Sequence, residues 1–379
     1  MGRIVKISES ILQDITDTIY SCGGPSRTMP SNFPADISHL ITKEQYLTGD
    51  FSSYVYDEST NVRDTQFFCC DSLITVSFPN CTSIGASAFQ HCSNLTNISF
   101  PNCTTIGSNA FEYCYSLVNV SFPNCTSIGY YAFYSCSGLT TVNFPNCTNI
   151  GTYAFYICSN LTTIKFPNCT SIGDHAFYRC SRLTTIKFPN CVTINDYAFY
   201  SCSSLINISF PSCTSIGASA FQNCFSLTSV SFPNCTTIGS HAFYSCYSLT
   251  TASFPNCTTI GSNAFYTCSS LTNTSFPNCT TVGSNAFIFC YSLTNISFPK
   301  CTTISSDAFY GCYNLISLYI LGSSVITLQS SNAFDSTPIG GYSTSAGRYG
   351  SIFVPYSLYD EYKAAENWSF YSSVISYMG

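Results

Sequence analysis

From Asn94 to Cys114 the chain reads NLTNISFPNCTTIGSNAFEYC, and close variants of that string recur along most of the protein. Phe78, Phe100, Phe122 and Phe144 stand 22 residues apart, and the series continues without a slip to Phe298. The unit is L-x-x-[VI]-x-F-P-N-C-T-x-I-G-x-x-A-F-x-x-C-x-x, and eleven full copies run from Leu73 to Asn314. A twelfth, starting at Leu315, keeps Leu318, Ile320 and Ala333-Phe334 but carries a three-residue insertion. Upstream, Phe67 and Cys70 fall in register, so DTQFFCC reads as the tail of a decayed first unit. Length alone would divide 379 residues into roughly two or three globular domains. A repeat this regular points to a solenoid instead.

The chemistry of one unit says why copies must stack. Thr75-Val76-Ser77-Phe78 alternates polar and apolar, the pattern of a short half-buried strand. Pro79 ends it, having no N–H for a ladder. Gly85 reads as a permissive backbone position for a turn, and Ala88-Phe89 returns a large ring to the interior. Burying Phe78 and Phe89 gains about 1.5–3 kcal/mol each, while ordering costs about 1–2 kcal/mol per residue. One unit therefore cannot fold alone, and stacked units that share faces can.

The spacing Leu73, Val76, Phe78, Cys81, Ile84 is close to the leucine-rich repeat signature. Its continuation, IGxxAFxxCxxL, resembles the BspA-type leucine-rich repeat of bacterial surface proteins, some protist surface proteins and phage-encoded proteins of gut bacteria. The resemblance covers about two-thirds of the chain. It implies a right-handed leucine-rich-repeat coil with a β-strand plus a turn or short helix per 22-residue unit. One departure is Phe before the Pro, where aliphatic residues are commoner. It is expected to thicken the core without changing the fold.

Of 25 cysteines, eleven occupy the Cys81 slot and twelve the Cys92 slot, counting Cys70; Cys22 and Cys69 fall outside both. Equivalent residues in stacked rungs sit about 4.7–4.9 Å apart with parallel Cα–Cβ vectors. A disulfide wants Cβ atoms at about 3.8 Å and angled together, and zinc wants four convergent ligands. Cys81, Cys92, Cys103, Cys114 and their equivalents are therefore expected to be buried apolar plugs with weak S–H donors. In the Cys81 slot the thiol can satisfy a backbone carbonyl in the turn after the strand. No metal and no cofactor are expected.

Charged residues make up only 8% of the chain and the net charge is −6, so the surface must be built from Ser, Thr, Asn and Tyr. Nucleic acid, which needs a basic footprint, is not an expected partner. No window reaches the roughly 18–20 apolar residues of a membrane span, so no membrane insertion is expected. The start, MGRIVKISESILQDITDTIY, lacks an apolar h-region with a cleavage site. Synthesis in the cytoplasm is the expectation, with action in a virion or at a cell surface.

Four segments follow: an N-terminal helical module at 1–49, a degenerate first repeat at 50–72, the solenoid at 73–335 and a C-terminal cap at 336–379. In the first, Ile11, Leu12, Ile15 and Ile19 have helical spacing, and a second short helix is expected near 35–40. The run VKISES, continued by Ile15, Asp17 and Ile19 and then by a Gly-rich turn and MPSNFPADI, resembles a module that opens many phage tail or virion proteins. That implies a virion or tail assembly partner; the plainer reading is a cap over the first rung. In the last segment SIFVPYSLYDEYKAAENW reads as a strand, a Pro turn and a helix from about Leu358. Ser357 with Asp360 forms a relative of the capping box, and Trp368 seals the last rung. STPIGGYSTSAGRYG before it is a loop.

No catalytic constellation is present. His39, His91, His175 and His241 are scattered, and the repeats hold few carboxylates: Glu112, Asp174, Asp196 and Asp307. An enzyme is not expected. Two outward patches are candidates for binding. Lys165 and Lys187 share a slot on neighbouring rungs, each two residues after a threonine, Thr163 and Thr185. Like charges side by side on a sheet cost about 0.2–1 kcal/mol. With Arg179 and Arg182 nearby, and Asp174 and Asp196 as partners, the group reads as a site for an anionic moiety such as a sugar carboxylate. The plainer alternative is solvated lysines. Tyrosines form the second patch: Tyr134, Tyr156, Tyr178 and Tyr200 after the Phe, and Tyr115, Tyr247, Tyr291 and Tyr313 after the second Cys. They read either as contacts for protein or glycan or as a shield over the convex side. The expectation is a non-enzymatic recognition protein, phage tail-associated or receptor-binding, that contacts a surface protein or glycan of a bacterial or host cell. A bacterial adhesin and a structural spacer are the alternatives.

Overall fold

The structure is a computed structural model, and it describes residues 53–55, 60–341 and 349–378. The expected N-terminal helices, the whole 1–49 module and part of the 336–350 loop lie outside the described residues. From Asn61 to Leu328 the chain coils once per repeat. Each rung carries a three-residue strand such as Thr75–Ser77 and a two-residue strand such as Ser83–Ile84, and every pairing with the next rung is parallel. The short strands form one unbroken 13-stranded sheet. Register is strict: Ile84 pairs with Ile106, and Ile150 with Ile172.

Each residue of the FPNCT string at the heart of the unit has its own contact. The ring of Phe100 lies in the core and Pro101 follows it. The Asn102 amide crosses to the carbonyl of Pro79 on the preceding rung at 2.8 Å, and Asn124 does the same to Pro101. Cys103 turns inward and donates its thiol to the Thr105 carbonyl at 3.2 Å. Thr104 donates its hydroxyl to the Thr82 carbonyl one rung back at 3.0 Å. One short string thus supplies a core ring, a strand stop and two bonds between rungs. The NCT triplets have this purpose, with the Asn amide already engaged.

The turn that follows takes the non-helical option. Ser87 and His91 have φ of 53° and 62°, and their equivalents repeat this in almost every rung, including β-branched Ile157 and Thr267. A left-handed residue costs of order 1–3 kcal/mol when it is not glycine. The return is a bond to the next rung: Ser87 N–H donates to the Ser108 carbonyl and His91 N–H to the Glu112 carbonyl, both at 2.8 Å. Two left-handed residues in five preclude a helical run. Gly85 itself is not left-handed, which corrects the turn reading. A Cβ there would lie 2.5 Å from the Asp64 backbone, and one on Gly129 would lie 2.6 Å from Gly107. Glycine in most rungs of this column lets the backbones approach closely, although Asn195 and Ser305 hold the slot in two rungs.

Phenylalanine fills the coil in two columns. Rings of the Phe89 column stack at 5.2 Å to Phe111, and those of the Phe78 column at 5.3 Å to Phe100. Between columns they meet edge to face, as Phe89 and Phe100 do at 5.9 Å. The longer strands fall into five separate sheets. Each break follows a strand whose central residue, Ile98, Ile164, Ile208 or Thr274, is only half-buried. Ring spacing widens to 5.9 Å across the interruptions at Phe100–Phe122 and Phe166–Phe188, against 5.3 Å at Phe144–Phe166 within a sheet. The Ile-lined short strands stay continuous.

At the C-terminal end Ser351–Val354 and Ile375–Tyr377 extend the last sheet, and Tyr359–Ala364 forms an α-helix after a 3-10 turn at Tyr356–Leu358. No side chain caps either helix, so Ser357 and Asp360 do not form the capping pair. Trp368 is 1% exposed and donates its indole N–H to the Ile326 carbonyl at 2.8 Å, closing the core over Phe334.

Candidate functional site

The two lysines end the strands Thr163–Lys165 and Thr185–Lys187. Both are exposed, as are Thr163 and Thr185 before them. Lys165 pairs in register with Asn143 and Lys187 with Ser209, so each has an uncharged neighbour on its paired side. The strands they end are not paired with each other: one of the interruptions falls between them. An interruption also falls at Phe100–Phe122, where no lysine is present, so like-charge repulsion is not required for one.

The arginines are held elsewhere. Arg182 donates to Asn160 Oδ1 at 3.0 Å. Arg179 is a left-handed turn residue whose guanidinium lies 5.4 Å from the Tyr178 ring centre. Of their expected partners, Asp196 accepts the Ala218 backbone N–H at 2.6 Å, one rung on. The expected anionic site is therefore an open lysine pair on the strand face, with Arg179 on the turn face beside the tyrosines.

That turn face carries the more built site. Tyr134, Tyr156, Tyr178 and Tyr200 stack in a column, with centroids 4.7–4.8 Å apart and planes within 12° of parallel. A second column runs beside it: Tyr131, Tyr153, His175 and Tyr197, at 4.5–4.8 Å and within 13°. Paired rings of the two columns are inclined, Tyr153 to Tyr156 by 58° at 5.4 Å. Along Tyr153, Tyr156, His175, Tyr178, Tyr197 and Tyr200, and reaching Gln222, runs an open trough of about 350 Å³. The columns themselves have ends. The slots that hold Tyr131 and Tyr134 hold Asn109 and Glu112 one rung earlier, and Ser219 and Gln222 follow Tyr197 and Tyr200. Glu112 is buried and accepts the amides of Gln90 and Asn109.

The second column escaped the sequence reading because its slot, two residues before the Phe, holds Ser, Asn or Asp in most other rungs. Four consecutive aromatic residues there were the available signal. Burial raises the phenols of Tyr134, Tyr153 and Tyr178 above their ordinary range, so they remain donors at neutral pH. Burial also lowers the His175 imidazole, against the opposing pull of Asp174 and Asp196, and keeps it neutral. Its Nδ1 is buried without a hydrogen-bond partner.

The thiols offer little chemistry. In the second column Cys114 donates to the Phe89 carbonyl at 3.1 Å and Cys136 to Phe111 at 2.9 Å, each reaching back across a rung. Burial pushes the Cys103 thiol up to about 12 and raises Cys92 and Cys114 well above the ordinary range. A thiol so placed is neither nucleophile nor ligand at neutral pH. Among the described residues, no group of three or more His, Cys, Asp or Glu is placed to hold a metal ion. No helix among them is long and apolar enough to cross a membrane.

A family model described as the BspA type leucine rich repeat region matches residues 60–183, 126–250 and 214–340. No curated protein matches the chain. A leucine-rich repeat protein from Bacteroides ovatus is 24% identical over 86% of this chain and 94% of its own, with a TM-score of 0.56. A leucine rich cell surface protein from Faecalibacterium prausnitzii is 20% identical over 93% of this chain and 100% of its own, with a TM-score of 0.41. The first is a likeness of fold.

Proposed function

The chain belongs to the BspA-type leucine-rich repeat family, and on that premise we propose that it is a non-enzymatic recognition protein that contacts a bacterial or host surface through its solenoid. One observation carries this reading. The inward Phe, Cys and Ala slots hold the same residues in rung after rung, whereas four of the five lysines and arginines between Leu73 and Asn314 (Lys165, Arg179, Arg182 and Lys187) and the paired aromatic columns fall together between Tyr131 and Tyr200. A spacer has no reason to vary one outward patch while its core stays constant.

The finer assignment is a phage tail-associated component attached to a larger assembly by residues 1–49, supported by the resemblance of VKISES and the residues after it to virion modules. Tail-assembly neighbours in the genome would support it; a surface-anchor partner would favour an adhesin. The direct test is binding of the full chain to surface fractions of candidate bacteria and host cells. Binding to at least one fraction is expected, with a loss of tenfold or more in Lys165→Glu/Lys187→Glu if the lysines contact an anionic group. Unchanged binding removes the lysine pair from the site, and failure to bind any fraction contradicts the recognition reading.

A further inference from the structure

We infer that the trough between the two aromatic columns binds an uncharged, hydroxyl-rich glycan chain lying along the solenoid axis, an assignment that rests on the recognition reading and names its ligand. Parallel rings touch at about 3.5–4.0 Å. Rings whose centres are 4.7 Å apart, as Tyr156 and Tyr178 are, must slide past one another and leave part of each face uncovered. The surface is thus shingled: a strip of ring face and a phenol oxygen, repeated at every rung. Pyranose rings have the matching character, with apolar C–H faces and a rim of hydroxyls. Aromatic bodies with a polar tip suit such amphiphilic surfaces at low entropic cost.

Two observations select a glycan over a peptide. The backbone of this face is already engaged: the N–H groups of Tyr153, Phe155 and Ile157 donate to the carbonyls of Asp174, Ala176 and Tyr178 on the next rung at 2.8–2.9 Å. An extended peptide would find no main-chain partner there, and adding a strand is how such a segment normally gains affinity. The lining itself is tyrosine, neutral His175 and Gln222, with Arg179 as the charge beside it, against Tyr178. What it offers is phenol hydroxyls, which donate and accept.

The length of the trough sets the ligand's size. The rings that line it make two steps of 4.5–4.6 Å from Tyr153 to Tyr197, and Gln222 extends the lining by one more rung. A short oligosaccharide fills it, and a monosaccharide does not.

The test is a panel of neutral and uronic-acid oligosaccharides bound to the full chain, with affinities measured by calorimetry. Gln90 and Gln222 occupy the slot of Tyr156 and Tyr178 in other rungs, so Tyr156→Gln/Tyr178→Gln keeps a residue the coil already accommodates. A neutral oligosaccharide is expected to bind, at least tenfold more weakly to that variant and unchanged to Tyr247→Gln, which lies outside the trough. A panel with no bound neutral glycan, or equal binding by the double variant, overturns the assignment. Surface fractions that still bind the double variant fully would do so too, while leaving surface recognition itself intact.

Discussion

Phe155→Ala is expected to destabilise the solenoid by about 3–5 kcal/mol, the range for removing a fully buried aromatic ring. Phe155 has no exposed surface. It stacks on Phe133 at 5.2 Å and Phe177 at 5.3 Å, and meets Phe144 and Phe166 edge to face at 6.1 and 5.9 Å. Four rings therefore lose a partner, in a place where both rung neighbours are held by the same stack and neither can collapse inward. A repeat array is coupled through nearest neighbours. Weakening one central interface is expected not only to lower the denaturation midpoint but also to broaden or split the transition, so that a single two-state fit no longer describes it. Urea unfolding followed by circular dichroism checks this. A single sharp transition within 1 kcal/mol of wild type, on the order expected for a tolerated core swap, would mean that the columns do not carry the fold.

The second large effect is at the cap. Trp368→Ala removes a buried side chain that meets Tyr362 edge to face at 5.3 Å and donates to the Ile326 carbonyl. Its cost is again about 3–5 kcal/mol, increased by the carbonyl it leaves unpaired. The location of the damage discriminates. Tyr362 and Tyr371 bond to the backbone of Ile326 and Phe334, so the cap holds the last rung by several side chains at once. Hydrogen exchange in the variant is expected to accelerate from about residue 300 onward, fading toward the middle of the coil. Uniform acceleration along the chain would contradict a cap that acts locally.

Most of this architecture was legible because its chemistry recurs. A residue that returns every 22 positions in the same apolar or polar character can only face the same way in each rung. Phe78, Phe89, Cys81 and Cys92 could be placed inside on that ground, and the bond from Cys81 to the turn carbonyl could be anticipated from the shape of the motif. Three things were not legible. Left-handed residues were sought at glycine, yet Ser87, Tyr131 and even Ile157 adopt that conformation because a bond to the next rung compensates them. Glycine recurs where two backbones nearly touch, a property of the stack rather than of any one unit. The breaks in the strand face each follow a strand with a half-buried central Ile98, Ile164, Ile208 or Thr274, but Ile186 and Ile296 hold the same slot without preceding a break, so the residue type alone did not place them. The candidate site was read in part: one tyrosine column was visible, its partner was hidden by a variable slot, and the arginines proved to be engaged by Asn160 and Tyr178.

Native-state thiol labelling tests the stacked-column architecture most directly. The full chain, purified without reductant, is alkylated before and after unfolding, and each modified cysteine is located by mass spectrometry. The cysteines equivalent to Cys81 and Cys92 should stay unmodified while the coil is folded, since nearly all are fully buried and each donates to a carbonyl. All 25 should then react on unfolding, with no disulfide to reduce and no metal to remove. Rapid labelling of the column cysteines in the folded protein, or disulfide-linked peptides between rungs, would contradict it.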